Sequence, residues 1–100
     1  MPDIKHFYLK LNPPRLSFTK DMTEAERAVM QAHALYWMPY VQDGTLLVLG
    51  PVADPKGGFG ISIAGVTDKS ILDELVSKDP ANGLCSYEIY PMRAVTKSTL

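Results

Sequence analysis

The sequence predicts an α+β fold in the order β-α-β-β-α-β, with one antiparallel sheet and both helices on one of its faces. Three observations carry this expectation. Apolar residues alternate with a period of two in the first and last segments and follow helical spacing in two others. Thr23-Glu24-Ala25-Glu26 has the form of a capping box, in which a threonine hydroxyl and a glutamate satisfy orphan amides of a first helical turn. Asp54-Pro55-Lys56-Gly57 joins two apolar runs with aspartate, proline and glycine at the positions a type I turn favours. At 100 residues the chain is expected to form a single domain over residues 1–100. About two-thirds of the unfolded surface of such a chain can be buried, enough to fold without metal or disulfide staples.

The first strand is predicted from Ile4 to Leu11, with Phe7, Leu9 and Leu11 on one face and Ile4, His6, Tyr8 and Lys10 on the other. Asn12-Pro13-Pro14 ends it, and a loop containing Arg15, Ser17 and Thr19 follows. The first helix runs from the capping box to about Asp43, with a stripe of Ala25, Val29, Ala32, Tyr36 and Tyr40, edged by Met22 and Trp37. Gly44 supplies its left-handed stop, and Pro39 is expected to kink or shorten the last turn. Thr45 to Val52 is apolar without alternation, as in a strand covered on both faces, and Phe59 to Val66 is its antiparallel return. Asp68 caps a shorter helix carrying Ile71, Leu72, Leu75 and Val76, which Asp79-Pro80 ends. Leu84 to Val95 is the last strand. This order is the split βαβ pattern of ferredoxin-like domains.

Two helices shield one side of the sheet, yet the middle strands are apolar on both sides and the first carries Ile4 and Tyr8 on its far side. The uncovered patch exceeds what a soluble monomer usually exposes, so a homodimer packed sheet to sheet about a two-fold axis is expected.

Composition excludes several classes. With 46% hydrophobic residues the chain is neither disordered nor fibrous. A formal net charge of −1 leaves no field to hold nucleic acid or an anionic membrane. The single cysteine, Cys85, makes neither an internal disulfide nor a thiolate metal site. Apolar stretches such as Leu46 to Leu49 are far short of a membrane span, and the N-terminus has no signal-like apolar region, so a reducing cytoplasm is expected. No cofactor or metal is expected.

His33 falls inside the apolar stripe of the first helix, where partial desolvation favours the neutral imidazole that accepts a proton. The same spacing suits a core histidine with one hydrogen bond. Asp54, just beyond Gly50-Pro51-Val52-Ala53, would turn His33 into a general base by holding one ring nitrogen, although aspartate is also the ordinary first residue of its turn. His6 and Tyr8 project from the open sheet face, either lining a pocket between subunits or packing an interface. Trp37, one turn after His33, offers a wall for a ligand ring or a piece of core. Lys56-Gly57-Gly58-Phe59-Gly60 faintly resembles the RNA-recognition signature, but Ile61 and Ala64 stand where stacking aromatics are needed. Met1-Pro2 would expose a secondary amine after methionine removal, as in the tautomerase superfamily.

Taken in order, His6-Phe7-Tyr8-Leu9-Lys10-Leu11, Met22-Thr23-Glu24-Ala25-Glu26-Arg27, His33 with Tyr36-Trp37, Gly44-Thr45-Leu46, Gly50-Pro51-Val52-Ala53-Asp54 and Tyr87-Glu88-Ile89-Tyr90-Pro91-Met92 resemble the YCII-related family over nearly the whole chain. The resemblance implies a dimeric α+β barrel and a histidine–aspartate pair, which by position map onto His33 and Asp54. It further implies a small cofactorless enzyme, of lyase, isomerase or dehydrohalogenase type, acting on a small molecule. A non-catalytic ligand-binding or structural dimer is the alternative. Gly50 and Pro51 join His6, Tyr8 and Trp37 as expected substrate-contacting residues. One common form of the family pattern has arginine three residues before the histidine and leucine directly after it. Here Met30 and Ala34 hold those places, so no substrate is carried over.

Overall fold

A computed structural model describes residues 3–99. Met1 and Pro2, with the candidate N-terminal amine, lie outside the described residues. The elements are β1 (Lys5–Asn12), α1 (Phe18–Asp21), α2 (Glu24–Gln42), β2 (Leu46–Val52), β3 (Phe59–Val66), α3 (Lys69–Ser77) and β4 (Ser86–Met92), with a terminal 3-10 turn at Lys97–Thr99. The four strands form one antiparallel sheet in the order β2-β3-β1-β4, the ferredoxin-like arrangement.

Alternation in β1 turns Phe7, Leu9 and Leu11 inward. Phe7 and Leu9 meet Ala64 and Val66 of β3, Leu46 of β2, Trp37 of α2 and Leu72 of α3, so both longer helices cover the same face, while Leu11 packs with Ala81 and Cys85. The capping box forms as the sequence predicts: the Glu26 amide donates to Thr23 Oγ1 at 3.1 Å, and the Thr23 amide donates to Glu26 Oε1 at 2.9 Å. Gly44 adopts φ +87° and stops α2.

Three details differ from the expectation. A short helix, α1, interrupts the first loop, seated by the buried Phe18. α2 does end where expected, at Gln42, and it runs through Pro39 because Pro39 and Leu35, the residue four before it, lie on the exposed side where water can take the carbonyl that proline leaves unbonded. The buried residues of α2 are His33 and Trp37, while Ala25 and Ala32 are exposed, so its inner stripe is rotated from the expected one. The register of β2 shifts between Leu46 and Val48, an irregularity that explains its missing alternation: Leu46 and Leu49 pack in the core, and Leu47 and Val48 are exposed.

β4 is also shorter than Leu84 to Val95. Leu84 belongs to a turn, its amide donating to the Ala81 carbonyl, and the pairing of β4 with β1 ends at Met92 opposite His6.

The other face of the sheet carries Tyr8 stacked on Tyr90 at 5.9 Å, with Val48, Tyr90 and Met92 exposed. Among the described residues, no helix is long and apolar enough to cross a membrane.

Candidate functional site

His33 and Trp37 stand one turn apart on the inner side of α2. Beyond the end of α3, the chain turns at Asp79-Pro80, and the Ala81 amide donates to Asp79 Oδ1 at 2.8 Å. That local bond fixes the aspartate side chain in an Asx-type turn and aims it under α2. Its carboxylate, 3% exposed, receives three side-chain donors as well. His33 Nδ1 lies 2.8 Å from Oδ2 and 3.0 Å from Oδ1, Trp37 Nε1 donates to Oδ2 at 2.8 Å, and the Tyr87 hydroxyl donates to Oδ2 at 2.5 Å.

Burial pushes the Asp79 carboxyl up, but the hydrogen bonds from His33, Tyr87, the Ala81 amide and Trp37 outweigh it and hold the group down at about 2. Asp79 is therefore an ionised acceptor at neutral pH. Burial, and then the bond to Asp79, pushes the Tyr87 phenol well above its ordinary value, so it remains a donor. With an acceptor-only carboxylate opposite it, His33 Nδ1 carries the proton, and the neutral ring keeps its lone pair on Nε2. Nε2 has no hydrogen-bond partner among the described residues, and His33 lines a cavity of about 370 Å³.

The cavity lies between the sheet and the roof formed by α1 and the first half of α2. Leu9, Leu49, Phe59 and Ser62 contribute from the strands, and Phe18 and Met30 from the helices. Arg15 fastens the roof. Its Nε donates to Asp21 Oδ1 at 2.8 Å, and Nη1 and Nη2 donate to the Glu26 carboxylate at 2.8 and 2.7 Å, tying α1 to the start of α2. The bond from Arg15, helped by the Thr23 amide, holds the Glu26 carboxyl at about 2. Cys85 Sγ lies 3.9 Å from Met30 Sδ at the cavity wall, where burial and then the Asp79 charge push its thiol up and keep it protonated.

Of the residues singled out in the sequence, His33, Gly50 and Pro51 line this cavity. Trp37 does not wall it; the indole is buried behind His33 and holds Asp79. His6 and Tyr8 point to the opposite side of the sheet from Leu9 and Leu11, away from the cavity. The carboxylate paired with His33 within the chain is Asp79, not Asp54. Asp54 sits in the exposed β2–β3 turn, where Oδ1 accepts from the Lys56 amide at 2.9 Å and the main-chain carbonyl accepts from Gly57. Asp79 and Tyr87 escaped the sequence reading. The one local signal, Asp79-Pro80-Ala81-Asn82-Gly83, reads first as a turn ending a helix. Among the described residues, no three histidine, cysteine, aspartate or glutamate side chains gather as a metal site.

A ferredoxin-like α+β sheet with a buried histidine–aspartate pair beside an apolar cavity defines the class of protein. The chain belongs to the YCII-related domain family, whose model matches residues 7–96. No curated protein matches the chain.

Proposed function

We propose that this single-domain chain is a cofactorless proton-transfer enzyme in which His33 Nε2 is the general base and Asp79 its orienting partner. The observation that carries the reading is the Asp79 carboxylate on His33 Nδ1, which leaves Nε2 as the basic atom of a cavity-lining ring. A carbon acid bound there would pass its proton to Nε2, and the C–H electron pair would remain on the substrate as an enolate. The imidazolium so formed keeps its Nδ1–H on Asp79, which stabilises the new charge. Return of the proton to another carbon gives isomerisation; departure of a β-substituent with its bonding pair gives elimination. The pairing with Asp79 replaces the expected Asp54.

The apolar outer face of the sheet supports a homodimer. The chain exposes 6722 Å², against about 5,600 Å² for a typical monomer of its mass. A second copy packed on Tyr8, Ile63 and Tyr90 would remove the excess and form the dimeric barrel. The buried free thiol of Cys85 fits a reducing cytoplasm.

The test is deuterium uptake from D2O by a defined mixture of small ketones, lactones and phenols, read by mass spectrometry. At least one component is expected to exchange at carbon faster with the wild type than with folded His33→Ala. Equal exchange with both proteins across the mixture would overturn the base assignment. Light scattering tests the dimer, with Ile63→Glu expected to give monomers.

A further inference from the structure

We infer that the molecule taken by the cavity is uncharged and mainly hydrocarbon, with one hydroxyl or carbonyl placed against His33. The inference deepens the proposed function and rests on its assignment of His33 to the ligand site. Among the described residues, no lysine, arginine, aspartate or glutamate lines the cavity. Two cations close to lining residues in the chain are engaged elsewhere. Arg15 is bonded to both Asp21 and Glu26, and Lys10 lies over the Phe59 ring, 4.6 Å from its centre.

Protonation of His33 does not supply a free positive charge either, because the Asp79 carboxylate 2.8 Å away balances it. An anionic ligand would lose its hydration with no counter-charge to replace it, which costs several kcal/mol for a carboxylate. Beyond His33, the lining is chiefly aliphatic, aromatic and thioether, and Met22 and Met30 adapt to irregular apolar shapes. At about 370 Å³ the space is at the small end of ligand sites, enough for a compact ring system.

The probes are 2-naphthol, uncharged at pH 7, and 2-naphthoate, of nearly the same shape. Binding to the intact protein is measured by calorimetry, and the imidazole signals of His33 are followed by NMR, assigned with His33→Gln. The wild type is expected to bind naphthol at least about tenfold tighter than naphthoate, with the His33 signals moving. Met30→Arg, which would place a cation on the cavity wall one turn before His33, should shift the preference toward naphthoate. Naphthoate binding as tightly as naphthol to the wild type, or neither probe binding at millimolar concentration, would overturn the inference. Preferential naphthol binding with unmoved His33 signals would support the charge selectivity and overturn the base assignment, so the two failures are distinct.

Discussion

The Nδ1 atom of His33 and the Oδ2 atom of Asp79 lie 2.8 Å apart, although 46 residues separate them in the chain. The contact sets the ring's tautomer. Nitrogen-15 NMR of neutral His33 should show the Nδ1–H form in the wild type, and Asp79→Asn should lower that population. Observation of the Nε2–H form in the wild type would remove Nε2 as the base.

The same aspartate ties stability to acid. Its folded pKa of about 2 is below the ordinary 3.8, so its contribution is complete above pH 4 and disappears as pH falls through the folded value. The depression corresponds to about 2 kcal/mol, lost between roughly pH 4 and pH 2. Denaturant unfolding across that range should show a shallower loss for Asp79→Asn than for the wild type.

Trp37 and Tyr87 act through Asp79. Trp37→Phe and Tyr87→Phe each remove one donor to a buried carboxylate while keeping an aromatic ring. Each should cost about 1.5–3 kcal/mol of unfolding free energy. Because the donors share one acceptor, the double variant should depart from additivity by at least about 0.5 kcal/mol. Strict additivity would mean that the network is not coupled.

Leu72 is fully buried between α3 and the sheet and does not line the cavity. Leu72→Ala should lose about 2–5 kcal/mol in stability, with naphthol affinity unchanged in the folded protein. A loss of affinity would show that the cavity and the core beneath α3 are not independent.

At Gly58 an added Cβ would lie 2.8 Å from Thr19 Cγ2, so Gly58→Ala pushes on the roof helix. The cost should be about 1 kcal/mol, and Thr19→Ser, which removes that methyl, should restore most of it. Thermal unfolding of the two variants and their combination checks this.

Much of the fold was legible because it is written in local terms. Alternation in β1, the Thr23–Glu26 box, Gly44 and the Asp54–Gly57 turn each act over a few residues, and their order leaves little choice of topology. His33 was legible as a polar residue at a helical spacing that implies burial. Its partner was not. Asp54-Pro55 and Asp79-Pro80 are the same dipeptide, and in both the carboxylate accepts the amide two residues on. Nothing in either stretch says which one faces α2.

Chain topology made that choice. The β2–β3 turn is exposed to solvent, whereas the loop between α3 and β4 brings Asp79 against His33 and Trp37 of α2. Periodicity and capping thus determined the four strands and two longer helices, apart from some of their ends, and the buried histidine. The path of the loop joining α3 to β4 selected the aspartate, because a hydrogen bond spanning 46 residues depends on where the backbone passes in space, and no run of neighbouring residues encodes that.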